Sequence, residues 1–214
     1  MNAHPRQRLL VGMCVLWSFA ITAGSVMMWN YASLPGREGR VPISWPGDAQ
    51  IALSSQGPTL VMFGHPRCPC TRASIEELAR LMTNCQGRVE TRMIFFRPSG
   101  SPTDWPNTDL WRSAEAIPGV RVGSDDDASE ARRFQVETSG HTLLYDKEGH
   151  LLFSGGITAA RGHAGDNVGR EALEALLHGR RAPQVRTPVF GCSLVAPDSQ
   201  CVTTPAECHL PPPQ

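Results

Sequence analysis

Lysine is almost absent from this chain. Among 214 residues there are 20 basic side chains, and Lys147 is the only lysine. Acidic side chains also number 20, so the formal net charge is zero. No basic stripe exists to neutralise phosphates, which excludes a nucleic-acid clamp. No Gly-x-Gly-x-x-Gly or Gly-Lys-Ser/Thr motif occurs, so nothing supports nucleotide binding. There is no Gly-x-Ser-x-Gly elbow for a serine hydrolase, and no internal repeat. With 41% apolar residues the chain is not a disordered acidic tail. Seven cysteines are too few for a small disulfide-stapled scaffold, and more than an ordinary cytosolic chain carries.

Charge is also missing from Leu9 to Trp29. At 1.5 Å rise per residue this run spans roughly 30 Å, the thickness of a bilayer core. Arg6 and Arg8 precede it, which holds the N-terminus in the cytoplasm and sends the remainder across. Residues 1–29 are therefore expected to be a short cytoplasmic stretch and a single-pass anchor. A cleavable signal peptide, with small residues from Ala20 to Gly24, is the alternative. Both place the folded part outside the cytoplasm. Cys14 falls inside the run as a membrane-facing thiol.

Residues 30–57 are rich in Pro, Gly and Ser and read as a spacer, with a short strand near Ile51 to Leu53. Residues 183–214 form a Pro- and Cys-rich tail, excluded from helices and central strands. Between them, 58–182 alternate. Thr59 to Phe63, Val89 to Phe96 and Val120 to Val122 are strands. Ile75, Leu78, Ala79 and Met82 mark one helix face. Leu110 to Ile117 and Asp127 to Phe134 are further helices, with Asp125-Asp126-Asp127 as turn and cap. Thr142 to Tyr145 and Leu151 to Phe153 form a hairpin. Arg170 to Leu177 is the last helix, capped by Asp166 or Asn167. The fold class is α/β, a mixed central sheet with flanking helices.

Cys68-Pro69-Cys70 lies between the first strand and the first amphipathic helix. Pro69 suits a first helical turn. A thiol at a helix N-terminus faces unpaired N–H groups and the positive end of the dipole, which stabilise its thiolate. Arg67 and Arg72 are expected to add positive charge. A thiolate with a second thiol two residues away is apparatus for thiol–disulfide exchange. The same region offers soft ligands in His65, Cys68 and Cys70, so copper binding or delivery is an alternative. A pair of buried or structural cysteines without chemistry is the bland alternative.

These residues resemble the thioredoxin-like superfamily. The resemblance rests on the strand ending in Phe63, the cysteines five to seven residues later, the helix, and Phe134-x-Val136-x-x-x-Gly140-x-Thr142-Leu143-Leu144-Tyr145-Asp146-x-x-Gly149. The chain is most similar to membrane-tethered TlpA/ResA-like thiol–disulfide proteins. His65-Pro-x-Cys-Pro-Cys-Thr-Arg, Ser139-Gly140, Ser154-Gly155-Gly156-Ile157 and Arg161-Gly162-His163 resemble the bacterial RedB group. The likeness covers about residues 55–180. It implies a thiol–disulfide oxidoreductase with no cofactor, acting on protein thiols or disulfides in the periplasm. It implies Cys68 as attacking thiol and Cys70 as resolving thiol. A tethered interaction domain without turnover shares the same likeness.

Two departures follow. The family motif is Cys-x-x-Cys, and one intervening residue is missing here. Where the family places a cis-proline beside the thiols, this chain has His141, flanked by Gly140 and Thr142. That alignment implies that His141 faces the Cys-Pro-Cys turn as general base, thiolate partner or metal ligand. With Cys68 and Cys70 paired and Cys14 set aside, Cys85, Cys192, Cys201 and Cys208 allow three pairings. Cys201 with Cys208 is favoured by proximity in the tail. Cys192 then meets Cys85 or remains a third redox thiol. His163 and the glycine-rich loop from Gly155 to Asn167 either approach the same face or form a plain flexible loop.

Overall fold

The computed structural model describes residues 5–194. The chain divides after Leu34 into two units. The first is helix α1, Pro5–Ser33. Within it, Leu9–Ser33 has a mean hydropathy of 2.0 and is long and apolar enough to cross a membrane. Its apolar side chains point in every direction and are exposed, the distribution of a helix suited to lipid rather than to a protein surface.

The second unit is built on a six-stranded sheet in the order β3-β2-β1-β4-β5-β6. The strands are β1 Thr59–Gly64, β2 Glu90–Arg97, β3 Val120–Asp126, β4 His141–Tyr145, β5 Leu151–Gly155 and β6 Arg186–Thr187. β1, β2 and β3 are parallel, and β4 runs antiparallel to β1 and to β5. The helices are α2 Pro69–Asn84, α3 Asp109–Glu115, α4 Ser129–Arg133 and α5 Val168–Leu177. This is the expected mixed sheet with flanking helices.

β1 is central because its run Thr-Leu-Val-Met-Phe-Gly is buried on both faces. Leu60 and Met62 point to one face, where Ile75, Leu78, Leu81 and Met82 of α2 meet Leu110 of α3 and Leu173 of α5. Val61 and Phe63 point to the other, against Phe134, Leu143 and Tyr145. Each such side chain, fully buried, contributes about 1.5–3 kcal/mol. The α5 cap is Asn167, whose side chain accepts the Arg170 N–H at 2.8 Å. Asp125 accepts the N–H groups of Glu130 and Ala131 at 2.8 and 2.9 Å and so starts α4.

Two sequence-level boundaries change. Residues 35–57 are not a free spacer. Val41, Trp45, Ile51 and Leu53 cover the second core, and Trp45 N–H donates to Gly149 at 2.7 Å. A sheet face that carries only the short α4 needs another cover, and this segment supplies it. No strand forms at Ile51 to Leu53, because the Ile51 N–H is taken by the Glu130 carboxylate. The tail likewise returns to the domain. β6 adds to the sheet edge beside β5, the position a Pro-rich segment tolerates. Val189 and Leu194 are buried.

Candidate functional site

β1 ends at Gly64, and a tight turn leads into α2, with the Cys68 N–H donating to the His65 carbonyl at 3.2 Å. Cys68 is the N-cap residue of α2, with extended backbone (φ −94°, ψ 125°), and Pro69 opens the helix. Cys68 is 2% exposed and Cys70 8%. Both are free thiols.

Over this turn lie two chain segments. The first is the loop entering β4. Ser139 Oγ accepts the His65 N–H at 2.9 Å and meets Thr71 Oγ1 at 2.6 Å. Gly140 donates its N–H to Phe63 at 2.7 Å. Its φ is +87°, and a Cβ there would stand 2.7 Å from Ser74 Oγ of α2, so glycine is required by conformation and by space. The second segment is residues 188–194. Cys192 accepts the Ser139 N–H at 2.8 Å, and Leu194 donates to Glu137 at 2.8 Å. Gly191 presses so closely on the loop that a Cβ would stand 1.9 Å from the Ser139 carbonyl oxygen. Arg161 holds the Gly191 carbonyl at 2.7 Å.

That second segment brings a third cysteine to the site. The Cys192 thiol lies beside Cys68 and Cys70, close enough that the three shift one another's ionisation. Negative charge settles on Cys68. Hydrogen bonds from Cys192 and then Cys70 draw its pKa far below the usual thiol value, against burial, with help from the Thr71 and Cys192 N–H groups. Cys192 moves the opposite way, raised by the Cys68 thiolate, by Cys70 and by burial. At Cys70 the bond from Cys192 lowers the pKa, but the Cys68 thiolate and burial outweigh it, and the net shift is upward.

The expected arginines do not serve this thiolate directly. The Arg67 guanidinium stacks on Trp105, 4.5 Å from the ring centroid. Arg72 pairs with Asp109 at the start of α3. Each guanidinium is engaged by its own partner. His65 does belong to the site's rim. It accepts the Arg67 N–H at Nδ1 and packs near Phe96 and Trp105. Burial lowers its pKa, the Cys68 thiolate opposes this and Arg67 adds to it.

His141 is where the sequence expectation fails most clearly. It pairs with Phe63 across the sheet and shares a face with Leu143 and Tyr145, away from α2. Its Nε2 is 2.9 Å from Ser154 Oγ, while its buried Nδ1 has no partner. Burial lowers its pKa to about 4. It is therefore a neutral core imidazole and not a base for Cys68. No cis peptide bond occurs among the described residues. Thr142 points back towards α2's side and bonds the Gly140 carbonyl at 3.3 Å.

Cys85 ends α2 and sits near His178. The helix separates it from Cys192 by about 24 Å of rise, so a Cys85–Cys192 disulfide is not formed. Cys201 and Cys208 lie outside the described residues. Among the described residues no group of three or more His, Cys, Asp or Glu side chains is arranged to hold a metal ion, and His141 points away from the thiols. The glycine-rich loop is not free. The wholly buried Glu77 of α2 accepts from Gly165 N–H at 2.8 Å, Asn167 Nδ2 at 3.0 Å, Arg170 Nε at 2.7 Å and Arg80 at 2.7 Å. Sequence reasoning passed over Ser139, Thr71 and Glu77. The Ser139-Gly140 pair ahead of the hairpin was the one available signal.

No protein-family model and no curated protein matches the chain. Solved structures do. An uncharacterized conserved protein of Geobacillus kaustophilus superposes with a TM-score of 0.56 at 22% identity, over 78% of this chain and 95% of that one. A hypothetical protein of Sinorhizobium meliloti gives 0.53 at 20% identity, over 76% and 94%. A secreted Mycobacterium tuberculosis disulfide oxidoreductase homologous to E. coli DsbE gives 0.42 at 15%, over 59% and 84%. A β-α-β unit followed by a β-β-α unit on one mixed sheet, with cysteines opening the first helix, is the arrangement that the sequence resemblance implied. The second unit has the thioredoxin-like fold.

Proposed function

We propose that this chain is a thiol–disulfide oxidoreductase anchored by α1, with its thioredoxin-like unit in the periplasm. Cys68 is the attacking thiol, and its substrates are protein disulfides. The observation that supports this best is the placing of one sulfur at the start of a helix with two other thiols beside it. Cys68 is the N-cap residue of α2, at the positive end of the helix dipole, and has two further thiols beside it. A sulfur so placed is a thiolate at neutral pH, and the thiolate is the attacking species. The side of the membrane rests on Arg6 and Arg8 before the apolar run. In exchange, the Cys68 thiolate attacks one sulfur of the substrate disulfide. A mixed disulfide forms, and the other substrate sulfur leaves and takes a proton. A second thiol of the site then breaks the mixed disulfide.

The test uses the full chain in detergent, carrying Cys70→Ser and Cys192→Ser so that Cys68 is the only thiol of the site. Its rate of mixed-disulfide formation with glutathione disulfide is followed against pH. Loss of two S–H donors raises the Cys68 pKa from its native position, yet the helix end keeps the midpoint below the free value of about 8.5. Adding Cys68→Ser abolishes the reaction. A midpoint at the free value, or a rate unaffected by Cys68→Ser, removes the assignment.

A further inference from the structure

Two observations about Cys192 go unused by that reaction. It reaches the site from residues 188–194, which bond firmly to the domain on several sides. The Gly36 N–H donates to Val189 at 2.8 Å, Arg161 holds Gly191, and Thr138 bridges to Ser193. It is also exposed, whereas Cys68 and Cys70 beneath it are buried. A strap fixed this closely, with glycine where any Cβ would strike the Ser139 carbonyl, delivers its cysteine to one place.

We propose that Cys192 is a third redox-active thiol of this site, and that it forms a disulfide with Cys68 when the site is oxidised. This inference rests on Cys68 being the attacking thiol. Cys70 is the competing partner. It follows Cys68 by two residues, so their bond closes a small ring through Pro69 at the first turn of α2. Such a ring pulls against the helical backbone there, and strain makes a disulfide easier to reduce. Cys192 comes from a separate chain segment and carries no such constraint.

The steps balance as follows. The Cys68 thiolate attacks an external disulfide R–S–S–R. The Cys68–S–R bond forms, and R–S⁻ departs and is protonated. The negative charge on Cys68 has now gone, and with it the main influence that kept the Cys192 thiol protonated. Cys192 gives its proton to solvent, and its thiolate attacks Cys68 Sγ. The Cys68–Cys192 bond forms and the second R–S⁻ leaves and is protonated. Two protein thiols are oxidised, and one external disulfide is reduced to two thiols.

The experiment takes the full chain in detergent as wild type, Cys70→Ser, Cys192→Ser and Gly191→Ala. Each is oxidised with glutathione disulfide, quenched in acid, alkylated and mapped by peptide mass spectrometry over time. The wild type is expected to carry the Cys68–Cys192 link. Cys70→Ser is still expected to close the same link, more slowly than the wild type because Cys68 loses one S–H neighbour that favours its thiolate. Gly191→Ala keeps all three thiols but displaces the strap, and is expected to slow that link tenfold or more. Cys192→Ser is expected to retain only Cys68–Cys70. The inference is overturned if the wild type holds only Cys68–Cys70. It is equally overturned if Cys70→Ser stops at the glutathione adduct or closes only onto Cys201 or Cys208. A chain that exchanges normally through Cys68 and Cys70 alone keeps the proposed function and loses this inference. A chain that forms Cys68–Cys192 under oxidation but reduces no insulin disulfides keeps the inference and loses the function.

Discussion

Acid should weaken this domain through one core residue. His141 is 1% exposed, and its pKa is lowered to about 4 by burial alone. In the unfolded chain the same imidazole has a pKa of about 6.5. The folded state is therefore the poorer proton acceptor, and the unfolded state binds more protons between those values. Stability rises with pH through this window and is fully present above about 6.5. It falls as the pH drops towards 4. At pH 4.5 the unfolded state is favoured by proton binding about 80-fold, against almost nothing at pH 7.5. This corresponds to a loss of about 2.5 kcal/mol. His141→Gln removes the titration while leaving an amide to meet Ser154 Oγ. The assay is urea unfolding of the full chain in detergent under reducing conditions, followed by tryptophan fluorescence at several pH values. Trp45, packed 5.0 Å from Phe134, reports on the same core. The difference between wild type and His141→Gln cancels the carboxylates common to both. It should shift by about 2–3 kcal/mol between pH 7.5 and 4.5. A difference that stays flat across that range would refute a neutral, buried imidazole.

Other perturbations follow from named contacts. Glu77→Gln removes the charged acceptor of Arg170 Nε, with Glu174 left as the other close partner of that guanidinium, and should cost about 1.5–3 kcal/mol in urea unfolding. Gly140→Ala combines a positive φ with a clash against Ser74 and should cost about 1–3 kcal/mol. It should also slow exchange at Cys68, because the loop that seats the strap moves with it. Ser139→Ala removes the acceptor of the His65 N–H and the partner of Thr71, a loss of about 1–3 kcal/mol measurable as a lower urea midpoint. An unchanged midpoint in any of these variants would contradict the contact it removes.

The sequence alone determined the elements whose causes are local. An uncharged run long enough for a bilayer forms a helix whatever surrounds it. The spacing of Ile75, Leu78 and Met82 defines α2, and the apolar run at Thr59 to Phe63 defines a central strand. Pro69 after Cys68 fixes the helix start, and with it the position of the leading thiol. The alternation along β4 also held a signal that the family likeness obscured. Residues 141, 143 and 145 must share a face, and Leu143 and Tyr145 are core residues, so His141 faces that core too. Tertiary structure alone decided the rest, because those contacts join residues far apart in the chain. Residues 35–57 cover a sheet face that has too little helix. Arg67 and Arg72 turn to Trp105 and Asp109, partners about 40 residues away in sequence. Cys192 reaches Cys68 only because residues 188–194 pair with the loop before β4. No periodicity or spacing within a segment encodes a pairing between segments, so the sequence left Cys192 between a Cys85 partner and a third redox thiol, and only the fold brought it beside Cys68.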